Sequence, residues 1–295
     1  MKKCLLWGTG YMLGQYYKTI LYYEKMGKVE ICGITSDELY YKKIMGIDFI
    51  PKKDIDISSF DYLIIMAEAD MLRAINKEAA AMGIDDSIIV PIKVMALPGF
   101  DFDKYQAIRK NVPTIICPNC WGGMIYNRLG LEFKSPFINM FESHDDFLKI
   151  LKNIELYMKS ELQLVEMKYV EEAGFSYPVV KCVDVTLHCN HYHSFEEVNK
   201  CWERRKKRMD LSNSIVMLYD GDPDRINQFK NLEYKQKICF VPYASSDMDL
   251  MSLDYTRMVP EMSFWKIVNE GAHGYLYDLF ELLLNNKMCL LTEFE

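Results

Sequence analysis

The sequence contains no apolar run near the roughly 18 residues needed to cross a bilayer. The apolar stretch after Met1-Lys2-Lys3 ends at Gly8, too short for the core of a secretory signal. Positive charge is not in surplus: 35 Lys and Arg stand against 42 Asp and Glu, a net charge of -7, which argues against nucleic-acid binding by bulk electrostatics. No Gly/Ser linker, internal repeat or low-complexity tract interrupts the chain. Histidine is scarce, and three of the five lie within His188–His193. Cysteine is plentiful at nine, but the number is odd and the spacing irregular, so no disulfide framework is indicated. We expect a cytoplasmic protein with free, mostly buried thiols and no membrane span.

Half of the 295 residues are apolar, enough for two cores. The first hundred residues alternate strand and helix patterns. Strands are expected at Lys3–Trp7, Val29–Ile34, Tyr62–Met66 and Ser87–Val90, with helices to about Tyr23 and over Ala69–Met82. Gly8-Thr9-Gly10-Tyr11-Met12-Leu13-Gly14 joins the first strand to the first helix. Glycines there allow a tight turn and close approach of a phosphate, which the helix N-terminus attracts. Asp37, with Glu38 beside it, follows the second strand, where a ribose hydroxyl would be held. Gly8, Gly10, Gly14 and Asp37 are thus candidate contacts for a nucleotide or nucleotide sugar. The alternative is a turn that only packs the helix on its sheet. The segment loosely resembles small Rossmann-like domains of sugar-modifying enzymes in bacterial surface-polysaccharide pathways.

Phe100–Asn111 is helix-like and ends at Val112-Pro113, which places a boundary near residue 110: domain 1–110 Rossmann-like, domain 111–295 a three-layer α/β domain with a largely parallel sheet. In the second part, Thr114–Ile116 leads into Cys117-Pro118-Asn119-Cys120-Trp121-Gly122-Gly123 and a short helix from Met124. Further elements are expected as a strand over Phe137–Phe141, a helix over His144–Leu162 capped by Ser143, and a strand over Val179–His188. A helix capped by Ser194 and Glu197 follows, then strands at Ile215–Tyr219 and Lys237–Val241, with an Asp222-capped helix between them. A final helical stretch, Glu261–Asn285, is interrupted at Gly271–Gly274.

Residues 114 to about 242 resemble a bacterial family catalogued as domain of unknown function 1919. The resemblance is carried by Asn119-Cys120-Trp121-Gly122-Gly123 with Ile125-Tyr126, Ser135-Pro136-Phe137-Ile138-Asn139, His191-Tyr192, and Trp202 with Arg205 and Arg208. Pro118 stands where a second Asn is expected. Members resemble products of capsule and exopolysaccharide gene clusters, which implies a biosynthetic setting but no reaction.

Several side chains carry possible chemistry. Cys120 at a helix N-terminus is a candidate nucleophile, or a small buried thiol beside Trp121. With Cys117 it forms a lone CxxC, without the second pair a zinc site needs. His191 is a candidate acid/base. His191 with His193 on one strand face is a weaker metal pair, and no metal site is assigned. Trp202, Arg205 and Arg208 step by three along a helix and suit a phosphate or anionic sugar, with Asn119 and Trp121 as further ligand contacts. A basic run like Arg204–Arg208 is more often a solvated face. Asp220-Gly221-Asp222 at a strand end resembles a diphosphate-bound cation site, or is a helix cap. The expectation is that Cys120, His191, Arg205 and Arg208 line one cleft with Asp220 at its rim, binding a small anionic ligand. The protein is then a transferase on a phosphorylated or nucleotide-linked sugar, or a binding protein of the same pathway. No cofactor is assigned; a nucleotide or nucleotide sugar is a candidate, as is a divalent cation.

Overall fold

The structure, a computed structural model, describes residues 1–37, 42–254 and 263–291. Glu38 and the start of the last helical stretch at Glu261 lie outside the described residues. The chain divides into two compact units, Met1–Gln106 and Ala107–Glu295. It is an α/β protein with a parallel sheet in each unit.

In the first unit, β1 (Lys2–Trp7), β2 (Val29–Thr35), β5 (Tyr62–Ile65) and β6 (Ile89–Pro91) form a parallel sheet in the order β2-β1-β5-β6. Its central strands are buried on both faces, as their unbroken apolar runs require. Helices α1 (Tyr11–Lys25) and α2 (Ala69–Ala81) make the crossovers, and a small hairpin, β3 (Lys43–Ile44) with β4 (Ile47–Asp48), follows β2. The fourth strand starts later than expected because the Asp85 carboxylate accepts from the Ser87 amide and closes a turn first. Two helices follow: α3 (Ile92–Met95) and α4 (Phe102–Lys110).

The second unit holds a parallel sheet of β13 (Met251–Ser252), β12 (Gln236–Val241), β11 (Ser214–Tyr219) and β7 (Thr114–Ile116), in that order. Around it lie α5 (Trp121–Arg128), α6 (His144–Lys152), α7 (Ile154–Lys159), α8 (Phe195–Lys206), α9 (Pro223–Lys230), α10 (Phe264–Gly271) and α11 (Leu279–Asn285). The expected largely parallel sheet is only part of this unit. A separate antiparallel sheet, β10-β9-β8, is built from β8 (Gln163–Val170), β9 (Phe175–Cys182) and β10 (Val185–His188).

Four expected elements differ. Phe137–Phe141 is not a strand: Asn139 has a left-handed backbone (φ 67°), and the Ile138 carbonyl accepts from the Tyr192 hydroxyl and the Arg205 guanidinium. Only Phe141 pairs, in an isolated bridge with His188. The helix expected over His144–Leu162 breaks at Asn153 (φ -145°, ψ 47°), where the Leu151 carbonyl accepts from the Tyr234 hydroxyl. Val179–His188 is not one strand but a hairpin, turning at Val183 with φ 57°. The described part of the last helical stretch is α10 and α11, separated by a loop that buries Tyr277. A Cβ on Gly271 would come within 2.3 Å of that ring, so the glycine is needed for the packing.

Candidate functional site

Strand β7 delivers Cys117 to the carboxyl edge of its sheet, where open α/β folds place ligands. The Tyr126 hydroxyl donates to the Pro113 carbonyl and accepts from the Ile115 amide, tying α5 to β7. The turn between them is filled by side chains. The Cys117 sulfur accepts from the Gly122 amide at 3.2 Å, and the Asn119 Oδ1 accepts from the Trp121 amide at 3.0 Å. Burial pushes the Cys117 thiol up to about 12. Trp121 is wholly buried and donates from its indole to the Tyr277 hydroxyl at 2.8 Å, so it anchors the core and faces no ligand.

Cys120 is the half-buried member of this turn, at the N-cap of α5. Its Sγ lies 3.3 Å from the His191 Nε2. Burial raises the Cys120 thiol, opposing the helix N-terminus that would lower it. His191 does not reach it by the expected route. It follows β10 of the antiparallel sheet, not a parallel neighbour of β7. The loop is fixed by the Cys189 amide donating to the Pro178 carbonyl, the Tyr192 hydroxyl donating to the Ile138 carbonyl, and the Ser194 cap on α8. His188 stacks on Phe141 and meets the Tyr177 hydroxyl on the hairpin. No cluster of three His, Cys, Asp or Glu suited to a metal occurs among the described residues.

The expected anion contacts are engaged elsewhere. Arg205 is 4% exposed, donates to the Ile138 carbonyl and the Tyr192 hydroxyl, and lies over the Phe133 ring. It holds the Ser135–Asn139 segment in place. Trp202 is buried edge-on against Phe137. Arg208 pairs with Glu132 at 2.8 Å. Trp202 and Arg205 therefore mark a buried face of α8, while Arg208 lies beyond the end of that helix and is partly exposed.

Asp220 does stand at the carboxyl edge, after β11, but its oxygens are taken. His144 and Arg225 meet Oδ2 at 2.8 and 2.6 Å, while Arg225 and the Asp222 amide donate to Oδ1. Burial alone would raise this carboxyl; the bonds from His144, Arg225 and the Asp222 amide override it and hold it well below the usual carboxylate range. Asp222 caps α9 through the Asp224 and Arg225 amides. The Asp-Gly-Asp is therefore a structural knot, and its first carboxylate has no oxygen free for a cation.

A residue with no motif completes the site. Glu142 is 5% exposed, and neither carboxyl oxygen has a hydrogen-bond partner. Burial, then the charge of Asp146, raises its pKa well above the ordinary carboxylate value, which favours the neutral acid. Glu142 follows Phe141, whose bridge with His188 places it by the start of the His191 loop. Asn119 lies by Tyr219, yet its Nδ2 lacks a well-formed bond, as does the Asn190 Oδ1. Buried polar groups are almost always paired, so this concentration is unusual. Nothing in the spacing around Glu142 marks it in sequence.

The first unit has its own cleft, about 530 Å³, at the carboxyl ends of β1 and β2. Gly8, Gly10 and Asp37 line it with Trp7 and Met66. Gly8 has φ 122°, and a Cβ there would come 2.9 Å from the Met66 carbonyl oxygen. Gly14 does not line the cleft; it lies exposed on α1 with open space around its would-be Cβ. Asp37 pairs with Lys52, whose ammonium lies 4.9 Å from the centre of the Trp7 ring.

All nine cysteines are free, and no helix among the described residues is long and apolar enough to cross a membrane. Residues 1–90 match a family described as C2185-like, N-terminal. An uncharacterised protein of Haemophilus influenzae is 38% identical over 135 residues, 44% of this chain; the chain spans 63% of that relative's length. A crystal structure of aspartate semialdehyde dehydrogenase II from Vibrio cholerae, complexed with ASA, aligns over 86% of both chains at 10% identity and a TM-score of 0.26, too low to support an argument. Residues 92–278, well over half of the sequence, match Domain of unknown function (DUF1919), and the chain belongs to that family.

Proposed function

We propose that the second unit is a transferase site of surface-polysaccharide assembly, with Cys120 as nucleophile and His191 as its base. The observation that carries this reading is the 3.3 Å contact between Sγ and Nε2. A thiol at that distance can pass its proton to the imidazole when substrate binds, leaving a thiolate at a helix N-terminus. Asn119 supplies a buried amide donor without a well-formed bond, suited to charge developing on a reacting oxygen. The pathway setting, with a phosphorylated or nucleotide-linked sugar as substrate, rests on the family resemblance. A nucleotide is a separate candidate ligand of the first unit by itself, where Gly8 and Gly10 leave the start of α1 without a side-chain cap.

The raised Cys120 thiol favours a second reading, a binding protein that performs no chemistry. Thermal shift against nucleotide sugars, sugar phosphates and NAD(P), with and without Mg²⁺, finds the ligand. Saturation at 100 times the dissociation constant stabilises by about 2.7 kcal/mol. Intact-mass analysis with the bound ligand then separates the two readings. A covalent adduct or turnover that Cys120→Ala abolishes supports the transferase. Binding without either, unchanged in Cys120→Ala, supports the binding protein.

A further inference from the structure

Strand β8 differs from the other long strands in being exposed almost throughout. It lies at the edge of the β10-β9-β8 sheet. Val165 is 58% and Tyr169 60% exposed, and Leu164 and Met167 are also largely open to solvent. Only β9 pairs with it among the described residues, so its outer row of backbone donors and acceptors is available. An exposed eight-residue edge of this kind is a template for a further strand unless it is covered.

The order of residues along β8 says which strand fits. Read outward from Met167, the neighbours are Glu166 and Lys168, then Val165 and Tyr169, then Leu164 and Val170. An antiparallel copy related by a two-fold axis at Met167 sets Glu166 opposite Lys168 of the second copy, and Lys168 opposite its Glu166. Opposite charges are a combination that stabilises directly opposed positions. A two-fold interface requires a patch to be complementary to itself, and this strand is. Val165 is skipped in the pairing with β9, where Leu164 opposes Val180 and Glu166 opposes Val179, so the regular stretch is Glu166–Val170, which carries both charges.

We infer that β8 is the interface of a homodimer, in which two copies pair antiparallel about Met167 and join their three-stranded sheets into one of six. The inference is independent of the chemistry at Cys120.

Sedimentation of the full chain between roughly 1 and 100 µM tests it. The wild type is expected to associate to a dimer across that range. Glu166→Lys puts lysine against lysine twice, and Lys168→Glu puts glutamate against glutamate twice. Each is expected to weaken the dimer about tenfold or more, with unchanged circular dichroism, because both sites are exposed. An equimolar mixture of the two variants restores opposite charges at both positions and is expected to dimerise again. In a second measurement, Met167→Cys is expected to form a disulfide-linked dimer under mild oxidation, beyond any seen in the wild type, since residue 167 faces its own copy. A wild type that stays monomeric at the highest concentration overturns the inference. So does a mixture that dissociates like its components, or a Met167→Cys protein that cross-links no more than the wild type.

Discussion

After β1 the chain turns into α1 through Gly8, Thr9 and Gly10; after β7 it turns into α5 through Cys117, Pro118, Asn119 and Cys120. Both turns stand at the carboxyl end of a parallel strand. In the first, Gly10 offers no side chain to cap the helix, and a cleft opens. In the second, Asn119 and Cys117 occupy the first amides of α5, so a phosphate finds none of those donors there. The same local topology is thus left open for a ligand backbone in one unit and closed by side chains in the other. What the second turn presents is a thiol with an imidazole beside it.

Filling carries stability, and that contrast can be broken by mutation. The largest losses are expected where charges are buried around the second site. Arg205→Ala and Asp220→Ala should each cost about 3 kcal/mol or more in urea unfolding, because each strands buried polar partners. The Asp220 contribution has a sign in pH: its carboxyl is depressed in the fold, so the stability is present above the unfolded pKa and lost as pH falls toward the folded one. Arg205→Ala should leave any anionic ligand's affinity unchanged once folded protein is measured.

Next come the glycines. Gly122→Ala places a Cβ 2.8 Å from the Ile115 Cγ2 and 3.1 Å from the Cys117 sulfur, and should cost about 1–3 kcal/mol. Gly10→Ala meets nothing within 4 Å and should change stability by less than about 0.5 kcal/mol. If the open turn binds a nucleotide, Gly10→Ala weakens that binding in calorimetry while the melting temperature of the free protein stays put.

Smaller still are the titration effects. Cys120 should react with iodoacetamide more slowly at pH 7 than an exposed cysteine, and faster as pH rises, because burial raises its thiol. Peptide mapping of the alkylated protein measures this directly. Glu142→Gln should raise the melting temperature at neutral pH. The folded carboxyl is raised, so the unfolded state releases its proton first, and stability is lost as pH climbs above the unfolded pKa. The advantage of the glutamine should shrink as pH approaches about 4.3.

Much of the local architecture was legible in the residues. Apolar runs such as Leu63–Ile65 and Ile215–Leu218 mark buried strands, and both strand-to-helix turns follow from them. Ser143, Ser194 and Asp222 read as caps and are caps, since a cap needs only an oxygen placed beside the next two or three amides. The pairing of Ser194 with Glu197 is real but shifted: the Glu197 carboxylate accepts from the His193 amide. Gly8 and Gly10 line the cleft of the first unit, whereas Gly14 lies exposed on α1 away from it.

What the chain determines by itself is therefore what one turn of helix or one strand can settle: periodicity, caps, and the conformations only glycine adopts without strain. Tertiary structure decided the rest. Arg205 lies in the core because Ile138 and Tyr192, 67 and 13 residues away, bring the oxygens that receive it. His191 meets Cys120 across 71 residues because a hairpin, not a parallel strand, delivers it. Glu142 became a buried acid because the elements packed around it bring neither carboxyl oxygen a hydrogen-bond donor. Charge, burial and partnership are properties of what arrives from elsewhere in the chain, and a sequence window holds none of that information.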